Sequence, residues 1–304
     1  MNKIIQLDLT GDKGIADGKG MIKAEDVLKI FEEHREYFLD EYLRSWNSAS
    51  SVQDYIACLY DEGAELFDSG HSEKALPLYA SFFRPILKHY RVRTVLDCAC
   101  GTGNQAVSLA LAGYTVTGSD LSSGMLRIAK RRAERYQVEI PFVQADFCRL
   151  EEATEDRFDA VMCLTNSLSH LLTEADIMKS LNSMHGRLNG GGAVLIELLN
   201  YDDLLQGRPR WLPVTINQVR GAFHAGMLYV FDYLPADIIR WFVVYYEQET
   251  PGRRVRLDVN IFDSKGIRGS WLQEAMAGAG FANIRCGPSL SPTSLLYRGE
   301  RSTS

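Results

Sequence analysis

The sequence predicts an α/β fold built on a doubly wound parallel sheet, with an N-terminal helical extension and an inserted antiparallel β segment. Three observations predict this fold. Short apolar runs alternate with helical patterns over residues 93–199, which is typical of βαβ units. Apolar residues recur at helical spacing over residues 24–46. Four consecutive β-rich runs lie between residues 215 and 262, with no helical pattern between them.

The individual elements follow from the same patterns, taken in chain order. Residues 1–20 are expected to be extended or mobile, and helices are predicted over 24–46, 52–67 and 73–90. The predicted core strands are 93–99, 115–120, 140–146, 158–164 and 191–199, with helices over 103–113, 122–136 and 174–188 between them. A helix over 270–281 and a closing strand from residue 282 return to the core. We therefore expect four parts: a helical extension (1–53), a core (54–200), an antiparallel insertion (201–262) and a C-terminal helix and strand completing the core (263–304).

Composition and charge restrict the class of protein. The 304 residues are 46% hydrophobic and 24% charged, as in ordinary globular proteins, and no apolar run approaches the ~18 residues of a membrane span. The net charge of −6 argues against a nucleic-acid partner, which requires a basic face. The basic stretch 127–136 is interpreted as the solvated face of a helix. The N-terminus has no secretory signal pattern, so a cytoplasmic location is expected.

Six cysteines are compatible with reduced, structural thiols. They lie at positions 58, 98, 100, 148, 163 and 286, and none forms a Cys-x-x-Cys pair. Cys98, Cys148 and Cys163 lie in or beside apolar runs, where cysteine behaves as a small hydrophobic residue. No metal site is therefore predicted.

The glycine turn in "VLDCACGTG" suggests a nucleotide-type ligand, and its neighbours narrow the choice. Gly101 and Gly103 fit the dinucleotide fingerprint loosely. Asp97, four residues before Gly101, fits it badly because a carboxylate beside the turn repels a pyrophosphate. The acid suits a ligand with a positive group, such as an α-amino group or a sulfonium.

Two further acids follow the next two predicted strands. Asp120 lies nineteen residues beyond Gly101, where an acid can accept hydrogen bonds from ribose hydroxyls. Asp146 in "QADF" can accept from an adenine amine, and the Phe147 N–H can meet a ring nitrogen. Three acids at successive strand ends, without a basic phosphate clamp, describe an adenosine ligand lacking phosphates. The cofactor predicted from them is S-adenosylmethionine.

Four ordered motifs, "VLDCACGTG", "VTGSDLSSGML", "VQADF" and "FDAVMCLTNSLSHL", resemble those of class I S-adenosylmethionine-dependent methyltransferases. Within that class, "CLTNSLSHL" and "NYDDLL" are similar to the glycine N-methyltransferase group and related small-molecule N-methyltransferases. The resemblance implies a Rossmann-like seven-stranded sheet and an antiparallel lid formed by the insertion, and it is compatible with a homo-oligomer. It implies a cofactor site at Asp97, Ala99, Gly101, Gly103, Asp120, Leu121, Met125, Ala145, Asp146, Phe147 and Leu164, with Tyr60 and Tyr79 at its edge. It also places Asn166, His170 and Tyr201 near the substrate.

One departure from the family bears on the substrate. Glycine-methylating members carry "HRNY", whose arginine clamps the amino-acid carboxylate, whereas this chain has "LLNY" with Leu199 in that place. Because an apolar residue cannot neutralise a buried carboxylate, the departure argues against glycine. Arg208 and Arg210 are alternative clamps, although such residues are commonly surface residues.

Few residues can act as a base. His170 is the first candidate and Glu197, at the end of the fifth core strand, is the second. Local hydrogen bonding is an equally good account of His170, and pairing at the sheet edge is the alternative for Glu197. The alternating residues Met227, Tyr229, Phe231 and Tyr233 either pack on the core or form an aromatic wall for a cationic product.

These observations predict an enzyme that methylates a small molecule, most simply at an amine nitrogen. Small-molecule O- or C-methylation is the main alternative within the class. A non-catalytic S-adenosylmethionine-binding protein and a nicotinamide dehydrogenase are the alternatives outside it. A nucleic-acid or protein methyltransferase fits less well, because the fourth strand ends in "LTNS" and lacks an Asn/Asp-Pro-Pro-Tyr element.

Overall fold

The computed structural model describes residues 4–8, 22–69, 75–220, 223–249 and 254–303. The helices are α1 (Ala24–Ser48), α2 (Val52–Ser69), α3 (Leu76–His89), α4 (Asn104–Leu111), α5 (Ser123–Arg135), α6 (Glu174–Gly186), α7 (Tyr201–Gly207) and α8 (Gly269–Gly278). The strands are β1 (Ile4–Asp8), β2 (Thr94–Asp97), β3 (Thr115–Asp120), β4 (Phe142–Gln144), β5 (Phe158–Cys163), β6 (Leu188–Leu199), β7 (Trp211–Arg220), β8 (Phe223–Leu234), β9 (Ile238–Glu249), β10 (Arg254–Lys265), β11 (Phe281–Pro288) and β12 (Ser294–Arg301).

The chain divides into two compact units, which we call the parallel-sheet unit and the antiparallel-sheet unit. The parallel-sheet unit comprises residues 56–206 and 265–304, and the antiparallel-sheet unit comprises residues 1–55 and 207–264. The finer four-part division expected from the sequence stays a prediction. The expectation for residues 1–20 lies outside the described residues, apart from strand β1.

The parallel-sheet unit contains the predicted seven-stranded sheet, in the order β11-β12-β6-β5-β2-β3-β4. Strands β6, β5, β2, β3 and β4 are parallel, and β12 and β11 continue the sheet in antiparallel pairing. Because the central strands are covered on both faces, their sequences are continuous apolar runs and do not alternate between apolar and polar residues. The predicted α/β class and doubly wound sheet are confirmed.

Two elements of this unit were not predicted separately. Helix α7 lies at the start of the stretch assigned to the antiparallel insertion, and Asn200 precedes it as a cap, its Oδ1 accepting from the Asp203 N–H at 3.4 Å. The closing segment is a hairpin of two strands, β11 and β12, rather than one. Strand β12 buries few of its side chains, so its sequence carries only a weak period-two signal.

The antiparallel-sheet unit holds a five-stranded sheet in the order β1-β10-β9-β8-β7 within the described residues. One of its faces packs against α1, where Phe31 lies 5.2 Å from Phe242 between ring centroids and belongs to a cluster with Leu228, Val230 and Val244. The periodic apolar residues of α1 noted in the sequence therefore bury themselves against β8, β9 and β10.

The opposite face of that sheet carries the alternating aromatic residues singled out in the sequence, and we call it the aromatic face. Trp241 is its centre, with its ring 4.7 Å from that of Phe231 and 5.1 Å from that of Tyr229, and stacked at 5.8 Å on that of Phe262. The hydrophobic core that packs against α1 lies on the other face of this sheet. Phe231 and Trp241 are nonetheless almost fully buried.

None of the helices in the described part of the chain is both long enough and apolar enough to span a membrane.

Candidate functional site

The glycine turn lies between β2 and α4 and is held in left-handed backbone conformations. Gly101 has a φ of 52° and Gly103 a φ of 81°. Space is open beside Gly101, whereas a Cβ on Gly103 would lie 2.9 Å from the Cβ of Ala129 in α5. Gly103 is therefore required for close packing of the turn on α5. Its expected approach to a cofactor stays a prediction.

Asp120, at the end of β3, organises the loops on both sides of it. One carboxylate oxygen accepts from the Gly101 N–H at 2.8 Å and the other accepts from the Ser122 N–H at 2.9 Å. Burial raises the pKa of Asp120, and the two backbone hydrogen bonds oppose that shift. The acid predicted from the sequence therefore also fixes the position of the glycine turn.

Asp97, at the end of β2, lies in a different environment. Its side chain is buried, and Oδ1 has no hydrogen-bond partner among the described residues. Burial, followed by the nearby charge of Asp120, raises the pKa of Asp97 to about 7, while a hydrogen bond from the Ala99 N–H opposes the shift. A buried carboxyl with a spare acceptor is suited to a cationic ligand group.

The third acid, Asp146, follows β4 at the same edge of the sheet, since Ala145 donates its N–H to the Asp120 carbonyl at 3.0 Å. Asp146 Oδ1 accepts from the Cys148 N–H at 2.8 Å, leaving further lone pairs on the carboxylate. Met125 and Leu164 are buried, and Leu121 and Phe147 are half-buried. The parallel topology thus collects the three acids and their apolar neighbours at one edge.

Tyr60 and His170 form a pair that the sequence did not predict. The Tyr60 hydroxyl lies 2.9 Å from His170 Nε2, and the two rings meet edge to face at 5.5 Å. The ring of Tyr60 also packs on Phe67 and on the buried Met125. Burial lowers the pKa of His170 to about 4, so this imidazole is neutral near pH 7 and a weak base.

Asn166 and Tyr201 lie together at the end of β5 and the start of α7. The Asn166 side-chain amide donates to the Tyr201 hydroxyl at 2.9 Å and accepts from the Leu199 N–H at 3.2 Å. Asn166 itself has a φ of 67°, a left-handed conformation that asparagine tolerates better than most residues. The amide therefore fixes the loop after β5 to the end of β6.

Glu197, the second candidate base, is held at the sheet edge. Its carboxylate accepts from the Thr165 N–H at 3.0 Å and from the Ser289 hydroxyl. Tyr79 is half-buried, and burial together with the charge of Glu197 raises its pKa. These contacts agree with the alternative account of Glu197 as a paired acid. The catalytic and cofactor roles assigned to the individual residues stay predictions.

The residues considered as carboxylate clamps have other partners. Arg210 forms ion pairs with Glu32 at 2.6 Å and with Asp232 at 2.5 Å. The guanidinium of Arg208 lies 5.5 Å from the centroid of the Tyr233 ring. Leu199 donates its backbone N–H to Asn166 Oδ1, and its side chain is apolar and carries no group that could pair with a carboxylate.

Sequence reasoning missed a set of polar contacts between α2 and α5. The interpretation of residues 127–136 as a solvated face is wrong for Arg132, whose side chain is only 10% exposed and lies 2.5 Å from Asp68. Arg131, next to it, fits the interpretation better, because it pairs at 2.7 Å with Glu65 while remaining half exposed. The missed signal is the spacing of Asp61, Glu65 and Asp68, which places three acids on one face of a helix.

The aromatic face also carries buried polar groups. Asn260, 1% exposed, has no hydrogen-bond partner for either amide atom among the described residues, and Asp258 Oδ1 likewise has none. Alternation along β10 places both on the side of Phe262, which stacks on Trp241. Ser264 on the same face is partnered, since its hydroxyl accepts from the Trp241 indole N–H at 2.7 Å.

Comparison with known proteins identifies a part of the parallel-sheet unit. Residues 95–192 match the family model of a methyltransferase domain. A similar curated protein is a glycine/sarcosine N-methyltransferase of Parasynechococcus marenigrum, 36% identical over 155 residues, which are 51% of this chain and 54% of that protein. Another is a glycine/sarcosine N-methyltransferase of Halorhodospira halochloris, 32% identical over 154 residues, covering 51% of this chain and 56% of that protein. The chain thus spans about half the length of these curated relatives.

Solved structures agree at the level of fold. The amino pentose methyltransferase CalS10 of Micromonospora echinaspora superposes with a TM-score of 0.62 at 17% identity, covering 79% of this chain and 96% of that one. The sugar N-methyltransferase KedS8 of Streptoalloteichus superposes with a TM-score of 0.61 at 22% identity, covering 78% and 92%. The domain match, these relatives and the ordered acids at the strand ends lead to one assignment. Residues 95–192 match a methyltransferase domain, and the chain resembles the class I S-adenosylmethionine-dependent methyltransferases of the glycine N-methyltransferase-like group.

Proposed function

We propose that the chain transfers a methyl group from S-adenosylmethionine to an amine nitrogen of a small molecule, either a metabolite or a natural-product intermediate. The observation that carries the proposal is the pair of carboxyls, buried Asp97 and half-buried Asp120, at adjacent strand ends beside the glycine turn. Their different hydrogen bonding fits the two polar ends of this cofactor.

Each part of the cofactor has a candidate partner among the residues at this sheet edge. Asp120 accepts one backbone N–H on each oxygen, and each oxygen retains a lone pair for a ribose hydroxyl. Asp97 offers its unpartnered Oδ1 to the ammonium group of the methionine moiety. We assign Asp146 and the Phe147 N–H to the adenine edge, and Leu121 and Met125 to the apolar surface that its ring requires.

The bound cofactor supplies an electrophilic methyl group on a sulfonium. The task left to this chain is to hold the acceptor in line with that methyl group and to exclude water, and such positioning can account for about 7–11 kcal/mol of a barrier. A neutral amine needs no base for this displacement, whereas a hydroxyl acceptor more often does.

The pKa and the hydrogen bonding of the candidate bases favour a nitrogen atom over an oxygen atom as the methyl acceptor. His170 has a pKa of about 4 and already contacts the Tyr60 hydroxyl, so it is a weak proton acceptor. Both carboxylate oxygens of Glu197 accept hydrogen bonds from Thr165 and Ser289. Neither group provides the strong base that a hydroxyl acceptor would need.

Leu199 supports a narrower proposal for the substrate. Because this position bears an apolar side chain, and because Arg210 is engaged by Glu32 and Asp232, neither residue neutralises an amino-acid carboxylate in the described structure. We therefore propose an amine without an α-carboxylate, even though the similar curated relatives are glycine/sarcosine N-methyltransferases. Amino sugars are reasonable first candidates, given the names of two structural neighbours.

The test is turnover of S-adenosylmethionine with a panel containing glycine, sarcosine, amino sugars and other amines, with phenols as oxygen acceptors. Formation of S-adenosylhomocysteine and the mass and methyl position of the product are measured. We expect methylation of an amine lacking a carboxylate. A product methylated on oxygen or carbon would favour the alternative chemistry, and tight cofactor binding without turnover on any acceptor would favour a non-catalytic protein.

A thermal-shift comparison of S-adenosylhomocysteine with NAD separates this proposal from a dehydrogenase, because stabilisation by NAD alone would contradict it. We further propose a cytoplasmic protein that is a homo-oligomer. Light scattering of the purified protein tests the oligomeric state, and fractionation of the producing cells tests the location.

A further inference from the structure

Three carboxylates on α2 face α5 across a common surface within the parallel-sheet unit. Asp61, Glu65 and Asp68 are spaced four and three residues apart, which places them on one side of the helix. Each contacts a different part of α5: its N-terminus, Arg131 and Arg132, respectively. The basic stretch of α5 and the acidic side of α2 are therefore complementary.

The first contact joins α2 to the start of α5. The Asp61 carboxylate accepts from the Gly124 N–H at 2.6 Å and from the Ser122 hydroxyl at 2.5 Å. A Cβ on Gly124 would lie 2.8 Å from the Asp61 backbone, so the two helices touch without an intervening side chain. Ser122, whose N–H also reaches Asp120, is the cap of α5.

The third contact reaches the glycine turn. Arg132 donates from one guanidinium nitrogen to Asp68 at 2.5 Å and from the other to the carbonyl oxygen of Thr102. Thr102 lies between Gly101 and Gly103, and its side chain is buried. A single side chain of α5 thus connects an acid of α2 to the central peptide of the turn.

The turn is then held at three points. Gly101 donates its N–H to Asp120 at 2.8 Å, Gly103 donates its N–H to the Cys100 carbonyl at 2.9 Å, and Thr102 accepts from Arg132. Two of these contacts come from loops of the sheet edge. The third is the one that depends on α2, because Asp68 neutralises the largely buried guanidinium.

We propose that Arg132 is a positioning residue for the cofactor: paired with Asp68, it fixes the Thr102 carbonyl and so links the docking of α2 on α5 to the shape of the glycine turn. The inference rests on the proposed function, since it assigns that turn to the cofactor. Lysine does not replace Arg132, because an ammonium lacks the planar fork that reaches two acceptors at once.

The neighbouring pair, Arg131 with Glu65, provides a matched control. It joins the same two helices one residue away, yet both side chains are more than half exposed and their ion pair lies away from the turn. Exposed pairs of this kind contribute little to stability. A general loss of helix docking would affect both pairs, whereas positioning of the turn would affect only Arg132 and Asp68.

The experiment compares the full chain with R132M, R132K, D68N and the double variant R132M/D68N, and with the controls R131M and E65Q. Amide hydrogen exchange of the ligand-free proteins reports on residues 100–105, and calorimetry measures the Kd of S-adenosylhomocysteine. We expect R132M and D68N to exchange faster at the turn and to bind about tenfold more weakly. The double variant should lose little more than the worse single variant, R132K should not restore binding, and both controls should stay within twofold of the wild type.

The outcomes separate this proposal from the proposed function. Unchanged exchange at residues 100–105 in R132M and D68N, or an equal loss in R131M, overturns the positioning role. If wild-type protein fails to bind S-adenosylhomocysteine, the assignment of the cofactor is overturned, while the exchange data still decide whether Arg132 fixes the turn. If R132M does not fold, the hydrogen exchange of residues 100–105 and the Kd of S-adenosylhomocysteine are measured on D68N and R132K, and those two variants test the proposal. In active protein, the KM for S-adenosylmethionine should rise more than kcat falls.

Discussion

The two units of the molecule treat buried polar groups differently. At the sheet edge of the parallel-sheet unit, the half-buried Asp120 and Asp146 each accept a backbone N–H from their own loop, and Asp120 also accepts one from the neighbouring glycine turn, so the chain itself fixes them. On the aromatic face of the antiparallel-sheet unit, Asn260 is buried without a hydrogen-bond partner among the described residues. A group satisfied by its own loop is set in place by folding, whereas a buried group without a partner lowers the free energy of unfolding.

Among the three acids at this sheet edge, Asp97 is the exception, and it sharpens the comparison. It lies one strand away from Asp120 yet keeps a spare acceptor and a raised pKa. Partnered groups therefore shape the loops, and unpartnered ones mark where a ligand is expected. Three substitutions, from the largest expected effect to the smallest, test this distinction.

The largest effect is expected from Asp120→Ala. The substitution removes two acceptors that hold the glycine turn and the start of α5, together with the proposed ribose contact. Because hydrogen bonds to a charged group contribute about 1.5–3 kcal/mol each, we expect at least a hundredfold weaker binding of S-adenosylhomocysteine by calorimetry. An unchanged Kd would contradict the ribose assignment.

An intermediate effect is expected from the titration of Asp97. Its folded-state pKa of about 7 lies above the ordinary aspartate value, so the native protein binds the proton more tightly than the unfolded chain does. This stabilising contribution is present at low pH and is lost as pH rises through about 7. The free energy of unfolding of the ligand-free protein should fall relative to Asp97→Asn by about 2 kcal/mol between pH 5 and pH 8, measured in urea.

Cofactor affinity should change in the opposite direction over the same range. A cationic group favours the ionised carboxylate, so the Kd of S-adenosylhomocysteine should decrease from pH 6 to pH 8 in the wild type and vary less in Asp97→Asn. An equal pH dependence in both proteins would assign the titration to another group.

The smallest effect is expected from Asn260→Leu, and its sign is the informative part. Replacing an unpartnered buried amide by an apolar side chain of similar size should raise the free energy of unfolding by about 1 kcal/mol, measured in urea. The control Ser264→Ala removes the acceptor of the Trp241 indole on the same face and should destabilise the protein by a similar amount. A loss of stability in Asn260→Leu would show that the amide is satisfied.

The sequence predicted the parallel sheet and its edge well, because each of those features is local. A strand that ends in an acid beside a glycine turn leaves a linear pattern, and parallel topology then brings Asp97, Asp120 and Asp146 together. Contacts between distant segments left no such pattern. The Tyr60–His170 pair spans 110 residues, and the Arg132–Thr102 contact depends on how α5 lies over the turn. A run of basic residues in a sequence predicts a solvated helix face. The packing of α2 on α5 is needed to show which arginine is buried.

Helix α5 lies between two contacts that leave no room for a side chain: Gly124 against Asp61 on one side, and Ala129 against Gly103 on the other. The distances between α2, the glycine turn and α5 therefore depend on glycine, which has no side chain, at positions 103 and 124. When chimaeras are made with related proteins, these three segments should therefore be exchanged together. Crossovers placed between residues 61 and 129 would combine mismatched surfaces, whereas a graft that carries α2, the glycine turn and α5 together would keep them matched.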